Sequence, residues 1–360
     1  MLISEFLSKN TYALIDSGLL TCSSPSNIAL VKYWGKKPHQ IPTNPSISFT
    51  LDNCRTTTTL HYSPKTSTGL TFEVFLEGIH KPEFNLKIQQ FFERILAYVP
   101  FLESFDFKIE TANTFPHSSG IASSASGMSA LAMCLVRLEE KLCPGISDSH
   151  SRRKASFLAR LGSGSACRSI DGGLVVWGEH SDIPGSSNLE GVPFPFDVHE
   201  VFVDYQDTIL LVDEGEKQVS STVGHNLMHN HPFAEQRFSQ ANEHLTQLIA
   251  VLKDGDLTNF MRIVESEALS LHAMMMTSDP YYLLMKPNTL AVINTIWAFR
   301  KSTGAPVCFT LDAGANVHIL YPKQYSDKVK SFINSDLLKY CQNQRFIHDE
   351  VGRGAKSINI

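Results

Sequence analysis

The sequence predicts an α+β fold in two domains, with mixed sheets layered by helices. Three observations lead there. Strand-like runs such as ALVKYW, PSISFTLD, TTTTLHYS, LTFEVFLEG and FDFKIETANTF crowd the first third of the chain. Apolar residues at spacings of three and four recur in several long stretches after it. The two kinds are mixed, without the strict strand–helix alternation of a parallel sheet. A length of 360 residues allows one large or two moderate domains.

Composition narrows the function classes. Hydrophobic residues make up 42% and charged residues 19%, as in an ordinary water-soluble protein. A net charge of −5 and the lack of a Lys/Arg run argue against a nucleic-acid surface. Residues 1–20 include Glu5 and Asp16 and no long apolar core, so neither a signal peptide nor a membrane span is expected. The seven cysteines are scattered without a C-x-x-C pair. That suits a reducing compartment and argues against a disulfide framework, so a cytoplasmic location is expected.

Taken in order, SSPSNIALVKYWGKK reads as an apolar strand that collects lysines and aromatics. Lys32 interrupts the apolar run. It is either an edge or snorkelling lysine, or it points inward and needs an anion, which a substrate phosphate or carboxylate would supply. PTNPSISFTLD reads as a turn and a strand, and TTTTLHYS and LTFEVFLEG as two more. FNLKIQQFFERILAYV reads as a helix whose apolar positions are Leu86, Phe91, Ile95 and Tyr98.

The stretch from Phe115 to Leu142 organises the chemistry. A loop of small residues, PHSSGIASSASG, runs into a helix striped by Met128, Leu131, Leu135, Leu138 and Leu142. Gly120, Ala122, Ser123, Ser124 and Gly127 are expected at the helix N-terminus, where free N–H groups and the helix dipole attract an anion. The loop is neither a Walker loop nor a dinucleotide fingerprint. Its other reading is a helix packed on a sheet through small residues.

A second helix, from Asp148 to Leu161, ends in GSGSACRS. There Arg168 and the serine pair either form an anion site or make a turn with a surface arginine. GGLVVWG reads as a strand. The Gly, Pro, Ser and Asn between Gly178 and Pro195 mark a boundary, giving domains 1–195 and 196–360. VSSTVGHNLMHNHP holds His225, His229 and His231, which are either a metal pair or a polar helix face, and no metal site is assigned. Two helices follow, from about Pro232 to Leu252 and from Asp256 to Met276, with Met274, Met275 and Met276 as core fillers. TLAVINTIWAFRK reads as a further helix. APVCFTLDAGANVHILYP reads as strand, tight turn, strand, with Asp312 at the strand end. Asp312 either faces a cleft or forms an Asx-type turn.

Four blocks, KYWGKK, HSSGIASSASG, GSGSACRS and LDAGAN, resemble in order and spacing the signature blocks of the diphosphomevalonate decarboxylases. PTNPSIS and VSST match as well, so the resemblance runs from about Asn27 to Tyr321. It implies a GHMP-kinase-like fold with an active-site cleft between the two domains, and ATP and Mg²⁺ as cofactors. It also implies conversion of (R)-5-diphosphomevalonate to isopentenyl diphosphate, ADP, phosphate and CO₂ through 3-hydroxyl phosphorylation, in a homodimer that binds neither nucleic acid nor membrane. Asp312 matches the carboxylate at the 3-hydroxyl, Lys32 its neighbouring lysine, and Arg168 the arginine on the substrate carboxylate. Tyr33, Gly35 and Lys36 match contacts on the diphosphate side. Ser163, Gly164, Ser165, Ser221 and Thr222 match further substrate contacts. The loop containing Pro116, Ser119, Gly120, Ala122, Ser123, Ser124 and Gly127 matches the ATP phosphate cradle.

Some positions depart from the family pattern. His117, Ser118 and Ser119 replace Thr-Ala-Ala, Ala315 replaces a proline, and Asp171 replaces an aromatic. Lys87 is the candidate for a diphosphate-binding arginine. The alternative reading is a related mevalonate-phosphate decarboxylase or kinase that takes 5-phosphomevalonate. A non-catalytic nucleotide-binding protein would not require Lys32, Arg168 and Asp312 together.

Overall fold

The computed structural model describes residues 3–8, 12–116, 121–215 and 221–358. In chain order the first half contains β1 (Gly18–Val31), β2 (Lys36–Lys37), β3 (Ile41–Pro42), β4 (Ser46–Pro64), β5 (Thr71–Leu76), β6 (Ile79–His80) and α1 (Asn85–Ile95). It continues with β7 (Phe105–Asn113), α2 (Ser123–Leu142), α3 (Asp148–Gly162), β8 (Leu174–Trp177) and β9 (Val192–Pro193). The second half contains β10 (Gln206–Leu210), α4 (Ser221–Asn226), α5 (Ala234–Asp254), α6 (Leu257–Met276), α7 (Pro287–Thr303), β11 (Cys308–Thr310), β12 (Val317–Tyr321), α8 (Ser326–Phe332), β13 (Phe346–Glu350) and β14 (Lys356–Ile358).

PSISFTLD and TTTTLHYS, expected as separate strands, form the single strand β4, which changes partner midway. Its start pairs with β8 and its later half with β7, while β1 runs antiparallel along its other edge. Where the partner changes, the N–H groups of Asp52, Asn53 and Cys54 would be left unpaired. The Asp349 carboxylate of β13 accepts all three, at 2.7–2.8 Å. The described strands of this sheet run β14-β1-β4-β7-β5-β6, with β8 also paired to β4 and β9 to β8, so the last described strand returns to the first sheet. A second antiparallel sheet has the order β11-β12-β10-β13. The fold is α+β, with a parallel pair only at β5–β7 among the described strands.

α2 lies across the first sheet. Its expected stripe is buried throughout and packs on Leu60, Val74, Phe107 and Ile109 of the strands and on α1 and α3. Each such fully buried Leu, Ile or Phe side chain contributes roughly 1.5–3 kcal/mol. Small residues bring the helix close. Ser126 Oγ meets Thr56 Oγ1 at 2.6 Å, and Ser129 Oγ donates to Ala166 O at 2.7 Å. α1 corrects the sequence reading. Its inner face is Ile88, Phe91, Phe92 and Ile95, whereas Leu86 is 70% exposed. Leu86 precedes Phe91 by five positions, which turns it about 140° away from that face.

A second core joins the two halves. Ile28, Leu30, Ile47 and Phe49 from the ends of β1 and β4 pack with Leu245, Leu248, Phe260 and Ile263 of α5 and α6. This contact sets α6 against the end of β1, where the cleft begins. α7 and α8 cover the other face of the second sheet, with Phe299 stacked on Phe332 at 3.9 Å. Of the three methionines expected in the core, Met275 is buried, Met274 is partly so and Met276 is 40% exposed. Three successive helical positions span about 200° and cannot share one face.

Candidate active site

Lys32 follows β1 directly and is 2% exposed. The anion it needs is supplied by the chain itself, since Nζ donates to Asp312 Oδ1 at 2.9 Å. Asp312 stands in the turn after β11, with its side chain 26% exposed toward the cleft. Burial pulls the Lys32 ammonium below the usual lysine range, and Asp312 works against that shift.

The main chain at this pair is clamped by α5 and α6. Glu267 Oε2 accepts the Lys32 N–H at 2.8 Å, while the Lys32 carbonyl accepts from Asn44 Nδ2 at 2.9 Å and Arg237 Nη2 at 3.2 Å. Glu267 is fully buried. Both terminal nitrogens of Arg237 hold it, and His244 Nδ1 lies 2.6 Å away. Burial opposes its ionisation, but Arg237, His244 and the Lys32 N–H outweigh that and keep its carboxyl below the usual range. One turn along α6, His272 Nε2 lies 3.1 Å from the Asp312 carbonyl. Burial lowers the His272 pKa to about 4, so the ring is neutral and donates this bond. One helix therefore fixes a backbone group on each side of the Lys32–Asp312 pair.

Arg168 lies in a short 3-10 turn, Gly164–Ser169, and is 3% exposed. Its Nε donates to Ser48 Oγ at 2.9 Å and its Nη1 to Ser46 Oγ at 2.7 Å, with the Trp177 ring beneath it. Among the described residues no carboxylate pairs with it. With one edge taken by serines, its Nη1/Nη2 end is the face left for a planar anion. Gly164 is required here because a Cβ would stand 2.8 Å from Trp177 and 3.0 Å from the Tyr33 hydroxyl.

Helix α2 starts at Ser123, after Ala122 in a left-handed conformation (φ 46°), and this N-cap residue supplies no side-chain acceptor. Its first N–H groups thus keep their capacity for an anion. Ser124 Oγ lies 3.4 Å from Ser163 Oγ, which brings the small-residue loop beside the GSGSACRS turn.

These groups line one cleft of about 570 Å³, a volume typical of small-molecule sites. Lys32, Tyr33, Lys36, Ser163, Gly164, Ser165, Arg168 and Asp312 share it with Ala122, Ser123, Ser124 and Gly127. Neither Gly35, whose N–H is bonded to His225 Nδ1, nor Pro116 is on the wall, contrary to the sequence expectation. Ser119 and Gly120, with His117 and Ser118, lie outside the described residues, as do the side chains of Ser221 and Thr222, which open α4. Lys87 reaches the wall from α1. Enclosure by protein atoms lowers its pKa although the cleft leaves it exposed. The described wall carries Lys32, Lys36, Lys87 and Arg168 against the single carboxylate of Asp312. In a chain of net charge −5 such a cleft focuses anions. The same cleft wall also carries apolar side chains, Val74, Leu76, Phe84, Ile88, Ile109 and Leu131, interleaved with Thr58 and Thr111 of the neighbouring strands.

Sequence reasoning missed Glu267, Arg237, His272 and the serines under Arg168. Glu267 had a legible signal, since it sits on the apolar stripe Ile263, Val264, Leu271 of α6. The three histidines of the 225–231 stretch do not converge. His229 is exposed, His231 Nε2 lies 3.0 Å from the Met274 carbonyl, and no metal-holding group occurs among the described residues.

Residues 24–188 match the family model described as the diphosphomevalonate decarboxylase-like N-terminal domain, and residues 208–358 the mevalonate 5-diphosphate decarboxylase C-terminal domain. A diphosphomevalonate decarboxylase of Ganoderma lucidum is 31% identical, covering 92% of this chain and 84% of its own. The Homo sapiens diphosphomevalonate decarboxylase is 29% identical, over 87% and 78%. A solved complex of MDDEF with MVAPP, AMPPCP and magnesium superposes with a TM-score of 0.81 at 27% identity, covering 95% of this chain and 99% of that one. Mevalonate diphosphate decarboxylase from Staphylococcus aureus does so with a TM-score of 0.81 at 27% identity, over 95% and 98%.

Proposed function

The chain belongs to the diphosphomevalonate decarboxylase family, and from that premise we propose how its own residues carry the reaction. It is an ATP-dependent carboxy-lyase of the mevalonate pathway that converts (R)-5-diphosphomevalonate to isopentenyl diphosphate, ADP, phosphate and CO₂. The observation that carries the residue assignment is the convergence of Lys32, Asp312 and Arg168 on one cationic cleft beside the start of α2.

The apolar side chains of the wall take the nucleobase, and the N–H groups at Ala122–Ser124 receive the ATP phosphates, with Gly127 leaving room one turn on. Mg²⁺ neutralises phosphate charge when bound with the nucleotide. The Ser123 and Ser124 hydroxyls fit such a partly hydrated ion, which needs few protein ligands. Asp312 orients the tertiary 3-hydroxyl and takes its proton as the oxygen attacks the γ-phosphorus. Lys32 keeps that carboxylate ionised and aimed. Arg168 holds the C1 carboxylate through its open end, in line with the bond that breaks. The C1–C2 electron pair then becomes the C2=C3 double bond, CO₂ departs, and the 3-phosphate leaves with the C3–O pair. Asp312 passes the proton it took to the departing phosphate, and the carboxylate so restored offsets the positive character at C3. Tyr33, Lys36 and Lys87 take the 5-diphosphate, while Ser163, Ser165, Ser221 and Thr222 supply further hydroxyls.

The units divide near residue 195, between the two matched stretches. We read the protein as a homodimer in the cytoplasm, the state that the family resemblance and the scattered cysteines suggest. The seven cysteines are free, and no described helix is long and apolar enough to cross a membrane. Sedimentation tests the dimer. The activity is tested with ATP, Mg²⁺ and either 5-diphosphomevalonate or 5-phosphomevalonate. CO₂ and phosphate are expected from the diphosphate. Release from the monophosphate alone would reassign the substrate.

A further inference from the structure

One imidazole in the cleft has no part in the steps above. His225 sits on α4, is 8% exposed, and lies against the rings of Tyr33 (centroids 4.2 Å apart) and Trp34 (4.6 Å). Gly224 makes this seat possible, because a Cβ there would stand 2.6 Å from both the Trp34 ring and the Tyr282 hydroxyl. His225 Nδ1 accepts the Gly35 N–H at 3.0 Å. A ring nitrogen that accepts carries no proton, so the neutral ring carries its proton on Nε2. Burial, with Lys36 and Arg168 nearby, lowers the His225 pKa to about 3, which keeps that tautomer in place.

The ring is part of the cleft wall, and none of the described residues accepts from Nε2. Beside it the Tyr33 hydroxyl is buried without a hydrogen-bond partner among the described residues. Burial pushes that phenol's pKa up, so it too is a donor. With the Lys36 ammonium, these groups can all donate, and the matching ligand is one that only accepts, such as phosphate oxygens.

We propose that His225 Nε2–H is a fixed, uncharged hydrogen-bond donor to the phosphate end of the acid substrate, acting with Lys36 and the Tyr33 hydroxyl. This rests on the substrate reading given above. A lysine ammonium is a mobile point charge, whereas an imidazole held at Nδ1 and packed against two tilted rings gives direction as well. A donor of this kind fixes which phosphate oxygen faces the wall.

Two substitutions separate the ring's two nitrogens. His225→Asn keeps an acceptor near Nδ1 for Gly35 and removes the distal donor. His225→Gln places an amide N–H near Nε2 and gives up the Nδ1 acceptor. The Asn variant should raise KM for diphosphomevalonate roughly ten- to hundredfold, as for a lost bond to a charged acceptor, with the KM for ATP and the melting temperature nearly unchanged. The Gln variant should recover most of the affinity. The reverse pattern, Asn tolerated and Gln impaired, would reduce His225 to an anchor for Gly35 and overturn the proposal. Inorganic diphosphate titrated by calorimetry adds a readout independent of turnover. It should bind the parent more tightly than the Asn variant whichever acid is the substrate, and equal affinities would overturn the donor role. If the parent released no CO₂ from diphosphomevalonate, the substrate reading would fail while this titration still decided the donor.

Discussion

Lys32 and Asp312 stand 280 residues apart in sequence and 2.9 Å apart in space, one at the end of β1 and the other after β11. Neither is placed by its own segment alone. Glu267 fixes the Lys32 N–H and His272 the Asp312 carbonyl, both from α6. The ion pair is therefore mounted on main chain that cannot shift without breaking buried hydrogen bonds. That is the preorganisation a positioned general base requires.

Asp312→Asn removes the proton acceptor and the charge facing C3 while nearly preserving shape. Loss of a general base costs about 10²–10⁴-fold, so kcat at saturating ATP and diphosphomevalonate should fall at least into that range. An enzyme within a few-fold of the parent would mean that Asp312 serves only its turn.

The Lys32 ammonium has its pKa lowered by burial, so it loses its proton at lower pH than an ordinary lysine. The alkaline limb of kcat/KM should accordingly fall below the ordinary lysine value of about 10.4. Lys32→Arg keeps the charge at all accessible pH, so any activity that remains should lack this limb. A limb unmoved in the arginine variant would assign it to another group.

Arg168 is held by Ser46 and Ser48, which leaves its Nη1/Nη2 end for the substrate carboxylate. Arg168→Lys retains charge but loses the planar fork and both serine bonds, and turnover should drop by two orders of magnitude or more, about 3 kcal/mol of transition-state binding. The double variant Ser46→Ala/Ser48→Ala should lower kcat by a smaller factor and leave the KM for ATP near the parent value. Normal turnover in Arg168→Lys would exclude the planar grip.

At the start of α2 the test is charge. Ser124 is exposed in the first turn of the helix and lines the cleft. Ser124→Asp puts a carboxylate where phosphate oxygens are expected and at the same time favours the helix dipole by about 0.3–1 kcal/mol. The variant should thus be as stable as the parent yet bind ATP at least tenfold more weakly. Unchanged nucleotide affinity would move the phosphate site elsewhere.

His272 is buried and neutral, with its pKa lowered to about 4. A depressed histidine pKa contributes stability that is complete above the unfolded value of about 6.5 and is lost as pH falls toward 4. One unit below 6.5 the loss is about 1.4 kcal/mol for one such group. His272→Gln can keep a donor for the Asp312 carbonyl without titrating. The difference in unfolding free energy between pH 7.5 and 5.5 should shrink by about that amount, while kcat at pH 7.5 stays within several-fold. An undiminished acid loss would show that His272 is not the titrating group.

The sequence by itself determined what depends on neighbours along the chain. The three- and four-residue spacing of Met128 to Leu142 marks one inward face of α2, but Met128 through Val136 are buried on every side of the helix, which only the packing around it decided. The small residues before α2 and the isolated lysine in ALVKYW each leave two readings open, and the blocks around Lys32, Arg168 and Asp312 carried the family. What only the tertiary structure decided is which groups meet. The anion under Lys32 is a carboxylate from the other sheet, the support under Arg168 is a pair of hydroxyls on β4, and the partner of His225 is a backbone N–H of Gly35. Hydrogen bonds and ion pairs act over about 3 Å, and residues 120–280 positions apart come that close only after two sheets and α6 have packed.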